Sequence, residues 1–552
     1  MKNRQSILIP IIIFISIHTA SAQNWLWAFG FTSSLCNGDN GQYVLVPPNG
    51  NVYCLGSYGG NCTITAGNQT LSAGGTANGF FASFSQNGNM LNISNLAAPY
   101  GNGHQYYDVG FSDKPAIDDS GLIYTCIEAN GPCTIDTINA GEIGIQSSML
   151  AHWNNNDRCL WVKYLPGLFN AVYSNGGLYA MGRYEQDSVI IDSITLHGSA
   201  NKTTSYLSNL TLSGNCKWVK QASGGNTIFN CIQTGNNHIY LYAQTDSCFI
   251  YDTVSLCGQN GAGLGLLMQT DTNGNVQWTS TFSNSIVNGL SKSLSVDASG
   301  NSYMVGSFDT TLYLGNDTLY KTNIETYDGF IAKYDTLGNI LWVRQVYSFG
   351  QTYFYSITTD AAGYSYVLGS LNGMAIFGTD TISTQTQTTF LTRYTPSGRH
   401  MQVLSLPGPV AFDMAVDTDN NIYLTGQING SVSFGNTTLT GNTTFGDFFV
   451  AKISGITDST TNVSSLAPCD NTLQIFANPN AGIFTITVPQ CIIHASTGNF
   501  TVYDYQGSVI KNETVNLSTS KIEVDLGVVT RGVYNVLLTA NGMQFTGRVV
   551  VQ

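Results

Sequence analysis

Short runs in which apolar and polar residues alternate recur along this chain, and the stretch 294–346 shows the unit in full. LSVD turns through Ala298, Ser299, Gly300 and Asn301 into SYMVGS, because Gly and Asn accept the positive φ that a short hairpin demands. A long polar loop follows. GFIAKYD then turns at Leu337, Gly338 and Asn339 into NILWVRQV, so the pattern predicts a four-stranded antiparallel meander. One meander cannot bury both of its apolar faces, whereas copies arranged about an axis can.

The copies are counted by the tyrosine after the first turn: Tyr53, Tyr124, Tyr179, Tyr240, Tyr303, Tyr366 and Tyr423, spaced 55 to 71 residues apart. In the fourth strand a turn residue precedes a Trp by three positions, at Asn215 and Trp218, Asn275 and Trp278, and Asn339 and Trp342, with Arg158 and Trp161 a looser copy. Asn92 and Gln402 replace the Trp in two units. The last copy stops after its third strand at 448–453, and the missing Asn-x-x-Trp stands at the other end of the chain, at Asn24 and Trp27. The sequence thus predicts an all-β fold, with a seven-bladed β-propeller over residues 23–453 closed by the N-terminal strand. Closure would remove free sheet edges.

Composition narrows the picture. Only 10% of the 552 residues are charged, while 59 Gly and 30 Tyr suit short strands and tight turns. A formal net charge of −13 with 20 Lys and Arg argues against nucleic-acid or anionic-membrane partners. Lys2 and Arg4 before the apolar run from Ile7 to Ile17, then Ala20-Ser21-Ala22, predict a signal peptide over 1–22. Elsewhere no apolar run approaches the roughly 18 residues of a membrane helix, so no transmembrane span is expected in the mature protein, which reads as a monomer.

Twelve cysteines in an exported chain are disulfide candidates. Cys54 with Cys62, Cys126 with Cys133, and Cys248 with Cys257 each flank the connection leaving a second strand. Cys469 and Cys491 bracket a hairpin near the C-terminus. Cys36, Cys159, Cys216 and Cys231 have no obvious partners, and buried thiols are the alternative for several of the twelve.

From Ser454 to about residue 470 the repeat gives way to a polar, Ser/Thr-rich linker. Residues 471–552 then alternate again over short strands, predicting a small Ig-like β-sandwich. Asn478-Pro479-Asn480-x-Gly482-x-Phe484, Val502-Tyr503-Asp504-x-x-Gly507, Gly532-Val533-Tyr534 and the terminal Gly547-Arg548-Val549-Val550-Val551 resemble the C-terminal sorting domain of the bacterial type IX secretion system. Ala477 and Arg548 depart from that pattern. The resemblance implies export to the cell surface or the medium, with the secretion machinery and its sortase as partners. More weakly, VDASGNSYMVG and VDTDNNIYLTG resemble a repeat family of uncharacterised bacterial surface propellers, which bears on fold and not on ligand.

Chemistry is sparse. The seven His are scattered, with no HExxH and no His/Cys spacing suited to a metal, and neither a GxSxG elbow nor an assignable triad is present; no catalytic residue, metal or cofactor is expected. Asp271 to Asn275 and Asp417 to Asn421 look like calcium loops but lack the downstream Glu and fall where hairpin turns are required. Asp-Thr/Ser-hydrophobic triplets, such as Asp136-Thr137-Ile138, Asp192-Ser193-Ile194 and Asp252-Thr253-Val254, resemble an O-glycosylation acceptor, and a repeated turn explains them equally well.

Long connections, between strands two and three and from strand four into the next unit, all emerge on one face, which is where a rigid scaffold carries its binding residues. Tyr100, His104, Tyr106, Tyr107, Phe169, Phe229, Phe349, Tyr353, Phe354 and Phe412 lie in its inter-unit loops and are the candidate ligand contacts, unless they plug the channel or cover blade ends. The favoured reading is a surface or secreted binding module for a glycan or an extracellular protein. The alternative is a polysaccharide hydrolase or lyase with its site in the funnel.

Overall fold

The computed structural model describes residues 25–552 apart from 34–39, 48–49, 60–62, 73–76, 98–108, 130–133, 141–146, 155–157, 200, 259–262, 284–285, 288–292, 323–325, 445, 456–472, 489–496, 505–507, 518–520 and 541–542. The expected signal peptide, the linker from 456 onward, Cys36, Cys62, Cys133, Cys469, Cys491 and Gly507 lie outside the described residues, as do Tyr100, His104, Tyr106 and Tyr107. Among the described residues the helix- and strand-forming segments are all strands, in two compact units, 1–457 and 458–552.

In the first unit the meander recurs with a constant strand order. Asn40–Leu45, Val52–Gly59, Ala77–Phe84 and Met90–Ala97 pair in succession, all antiparallel. The same order runs through Leu168–Ser174, Gly177–Tyr184, Thr204–Leu210 and Cys216–Gly224, and it repeats over 227–283, 294–348 and 351–406. Between 109 and 164 the first strand is split into Val109–Phe111 and Ala116–Ile117. The last copy, Pro409–Val416, Ile422–Ile428 and Asp447–Ile453, takes its fourth strand from Trp25–Gly30.

Contacts between meanders follow one rule. Where an outer strand carries a Trp near its start, that Trp lies over the glycine of the last turn in the next meander. A Cβ built on Gly274 would sit 2.7 Å from the Trp218 ring, on Gly338 2.6 Å from Trp278, and on Gly398 2.5 Å from Trp342. The indole N–H of Trp278 donates to Thr336 O at 3.0 Å and that of Trp342 to Pro396 O at 3.1 Å. Trp27 repeats this contact across the chain ends: it covers Gly88, whose Cβ would sit 2.5 Å from the ring, and donates to Gln86 O at 2.9 Å. A bulge at the start of these strands extrudes the residue before the Trp, leaving Leu26 51%, Leu160 48% and Leu341 52% exposed.

First strands of successive meanders lie side by side, and Asn40–Leu45 lies against Pro409–Val416. There the fully buried Asp413 carboxylate accepts from Val44 N (3.1 Å) and Ser356 Oγ (3.0 Å) and pairs with Lys114 Nζ (3.1 Å). Four meanders meet on one side chain. Phe448 and Val450 share a core with Phe31, Phe80 and Phe84.

The polar loop expected between second and third strands is instead a small hairpin. Cys248–Tyr251 with Val254–Cys257 is one example; it pairs with residues 222–224 on the outer strand of the preceding meander. Thr134–Ile135 pairs likewise with 96–97, and Ala375 to Phe377 with 346–348. Thr63–Ala66 pairs with Thr32–Ser33, the continuation of the strand that completes the last meander. The reason is local: a two-residue turn whose first residue is left-handed, Asp-Thr/Ser in some copies and Gly67-Asn68 or Gly378-Thr379 in others, makes a hairpin whose apolar side needs a neighbour to cover. Asp136, Asp192 and Asp252 hold the left-handed turn conformation, at φ 52°, 54° and 54°. Asp136 and Asp192 also accept backbone N–H groups, from Cys159 (3.1 Å) and Cys216 (2.7 Å). These three triplets stand at a repeated turn.

Cysteine pairing needs correction. Cys248 and Cys257 stand directly opposite each other in their hairpin and are joined. Cys54 and Cys126 lie inside the second strands, facing neighbouring sheets rather than the connection, and carry free buried thiols. Cys54 Sγ is 3.0 Å from Thr425 Oγ1, and burial pushes its thiol up to about 12.

In the second unit, Gln474–Phe476, Ile483–Thr487 and Lys521–Asp525 form one sheet. Thr497–Tyr503, Val509–Asn516, Gly532–Ala540 and Met543–Val551 form the other. Phe484, Ile486, Phe500, Tyr534, Val536 and Phe545 fill the single core between them.

Candidate functional site

Two strands of the first unit end beside each other, Ile123–Ala129 at Glu128 and Gly177–Tyr184 at Arg183, and a hollow of about 1200 Å³ opens where they stop. Its floor depends on a close backbone approach. Gly167, at φ 57°, brings its carbonyl to Arg183 N at 3.0 Å, and a Cβ there would lie 1.7 Å from Arg183 O. Only Gly can occupy that point. The turn carries the chain past Pro166, whose carbonyl accepts the buried Tyr206 hydroxyl at 2.8 Å, and delivers Phe169 to the wall.

The Arg183 guanidinium lies 5.6 Å from the centre of the Phe169 ring, within cation–π reach. Among the described residues neither the guanidinium nor the Glu128 carboxylate has a hydrogen-bond partner. Packing around Glu128 raises its carboxyl above the ordinary value, and Arg183 opposes that rise. Glu185, also on the wall, accepts from Thr203 Oγ1 at 3.1 Å. Tyr164 at the end of its outer strand presents a 54% exposed side chain to the same space. The hollow therefore combines an aromatic face, a guanidinium and two carboxylates.

Of the aromatic residues expected to contact ligand, Phe169 lines this hollow. Phe229 and Phe354 do not. They are 3% and 1% exposed, and they pack on Phe249 and Tyr251 and on Phe390, because their positions on first strands point between adjacent sheets. Phe349 is 45% exposed, Tyr353 is half-buried against Tyr327, and Phe412 is half-buried against Tyr355. Tyr164, Glu128 and Arg183 escaped sequence reasoning because they sit on strand ends. The signal that could have found Tyr164 is an outer strand ending in an aromatic residue just before Leu165-Pro166-Gly167.

The calcium-like Asp turns have their carboxylates taken up internally. Asp417 accepts from the backbone of Asp419 (3.0 Å) and Asn421 (2.8 Å) and from the Tyr423 hydroxyl (3.1 Å), and it pairs with Lys452 Nζ at 3.2 Å. Asp271 is engaged in the same way by Asn273 and Asn275. Among the described residues no group of three or more His, Cys, Asp or Glu is placed to hold a metal.

In the second unit the Asn478–Gly482 segment grips the end of the chain. Asn478 donates through Nδ2 to Arg548 O and accepts from Val550 N, both at 2.8 Å; Asn480 N donates to Val550 O and Gln552 N to Asn480 O, both at 2.9 Å. Asn480 Oδ1 also accepts Gly482 N at 2.7 Å. Phe484 and Tyr534 are core residues, the Tyr534 hydroxyl donating to Thr530 O at 2.7 Å, while Gly532 and Pro479 are exposed.

Residues 474–552 match the secretion system C-terminal sorting domain. This domain marks the chain for export through the type IX secretion system to the cell surface or the medium, and implies contact with that machinery. No helix among the described residues is long and apolar enough to cross a membrane. Curated protein sequences provide no match. Solved structures similar to the chain include Drosophila Plexin A in complex with Semaphorin 1b, at 9% identity over 92% of this chain and 96% of that one, TM-score 0.35. Others are a polysaccharide ulvan lyase, at 11% identity over 94% and 98%, TM-score 0.29, and a family 32 glycoside hydrolase from Bifidobacterium adolescentis, at 11% over 95% and 95%, TM-score 0.23. At these TM-scores the likenesses define no shared fold.

Proposed function

We propose that residues 25–453 form a seven-bladed β-propeller closed by the strand Trp25–Gly30, and that this propeller is the exported binding module of the protein. The ring reading is supported by the Trp-on-Gly contact, which advances one meander at every junction that carries a Trp and returns from Trp27 to Gly88. The binding reading rests on one observation: a hollow of about 1200 Å³ on the face where second strands end, holding a guanidinium and a carboxylate without hydrogen-bond partners among the described residues. Charged groups with hydrogen-bonding capacity left over beside an aromatic wall suit a ligand that uses it. The ligand is a glycan or an extracellular protein.

Glu128 and Glu185 on one wall favour, secondarily, a hydrolase or lyase acting on polysaccharide. Incubating the secreted chain with polysaccharide panels, followed by chromatography of the products, separates the two readings. Retention without cleavage is expected. Shortened or unsaturated products would overturn the binding reading.

A further inference from the structure

We propose that the hollow between Glu128, Tyr164, Phe169 and Arg183 takes an uncharged oligosaccharide. This deepens the binding reading and rests on it. Three features of the wall point to this ligand chemistry.

The first is the half-open Tyr164 ring. The residue ends a strand and pairs there with Met149, so its backbone is held while the residue stays 54% exposed. An accessible ring on a held strand end offers an apolar face with a polar edge, the complement of a pyranose, whose C–H face is apolar and whose rim carries hydroxyls. The Phe169 ring already has the Arg183 cation beside it, 5.6 Å from its centre, so Tyr164 is the platform.

The second is the mixture of donors and acceptors. A sugar hydroxyl both donates and accepts, so a wall of donors alone or acceptors alone would leave half of its capacity unused. Arg183 supplies a fork of donors and Glu128 a carboxylate, both without hydrogen-bond partners among the described residues, and Glu185 adds a second carboxylate tied to Thr203. Vicinal hydroxyls spanning a guanidinium and a carboxylate satisfy both.

The third is charge. The wall carries two carboxylates against one guanidinium, in a chain of formal net charge −13. A uronate or sulfate polymer would enter against that field, whereas an uncharged glycan meets no such barrier. The hollow of about 1200 Å³ exceeds the ~300–1,000 Å³ of an ordinary small-ligand pocket, so it has room for an oligomer rather than a single sugar.

The test titrates the full secreted chain calorimetrically with uncharged gluco-, manno- and xylo-oligosaccharides, and in parallel with uronate- and sulfate-bearing ones. Binding of an uncharged oligosaccharide is expected, unaffected by added salt, weakened about tenfold by Tyr164→Ala and by Arg183→Ala, and retained in Tyr164→Phe. Tyr320→Ala, exposed and outside the hollow, leaves affinity unchanged. Preference for the anionic glycans, or affinity that falls steeply with salt, overturns the inference. Saccharide binding indifferent to Tyr164→Ala and Arg183→Ala also overturns it, and leaves the binding reading standing with its seat elsewhere. No saccharide binding, together with retention of an extracellular protein, overturns it in favour of a protein ligand; no binding of either kind overturns the binding reading itself.

Discussion

Replacing Trp27 with Ala tests whether the two ends of the first unit are joined as the internal meanders are joined to each other. The side chain is half-buried and loses three things at once: the indole over Gly88, the 2.9 Å bond to Gln86 O, and ring contacts with Phe84 and Tyr423 at 6.2 and 6.1 Å. Removing a buried Trp costs about 3–5 kcal/mol. Scaling for half burial leaves about 2 kcal/mol, and the N–H bond adds roughly 1. Trp278→Ala removes the equivalent side chain from an internal junction, with its own bond to Thr336 O, and serves as the reference. Urea midpoints followed by tryptophan fluorescence should fall by similar amounts in the two variants. The partner glycine allows a sharper comparison. Gly88→Ala forces a side chain at φ 81° into the Trp27 ring, so its cost should shrink by about 1 kcal/mol when Trp27 is already Ala. Additive effects at the two positions, or a Trp27→Ala loss under about 0.5 kcal/mol, would refute the reasoning.

Three further outcomes follow from the same geometry. His400 is held neutral, its pKa lowered by burial from 6.5 to about 4, with Nε2 against Thr392 Oγ1 at 2.9 Å and Nδ1 3.8 Å from Asp380 Oδ2. A lowered His pKa gives stability that is complete above the unfolded value and lost as pH falls from 6.5 towards 4. The wild type should lose about 3 kcal/mol over that window and His400→Gln much less, measured as melting temperature against pH. Thiol alkylation of the folded protein should leave Cys54, Cys126 and Cys231 unmodified, and denaturation without reductant should expose them while Cys248 and Cys257 stay protected; rapid labelling of Cys54 in the native protein would contradict its burial. Deleting residues 474–552 should keep the protein off the cell surface and out of the medium, read by fractionation; unchanged export of the truncated chain would contradict the role of the sorting domain.

The strand content and the pairing of Trp25–Gly30 with Asp447–Ile453 could be read from the chain because both depend on local spacing: a turn, three residues, then a Trp. The inserted hairpins could not. Some of their turns are visible in the Asp-Thr/Ser triplets, but the partner such a hairpin covers belongs to another meander, and pairing across meanders has no short-range signature. Cys54 and Cys126 misled for a related reason, since they flank a connection in sequence while alternation along the strand turns their side chains inward. Phe229 and Phe354 repeat the lesson: an aromatic residue entering a first strand is core when it points between sheets. The hollow is legible only in three dimensions, because Glu128, Tyr164 and Arg183 come from three strand ends brought together by the Gly167 turn.

Amide hydrogen exchange over residues 25–30 tests the central claim most directly. If this strand is the outer ribbon of the last meander and closes the ring, the amides of Ala28 to Gly30 will exchange as slowly as the equivalent outer strand, Ile340–Ser348, and only with opening of the whole first unit. Exchange of those amides at the rate of free peptide, while Asp447–Ile453 and Ile340–Ser348 stay protected, would contradict closure.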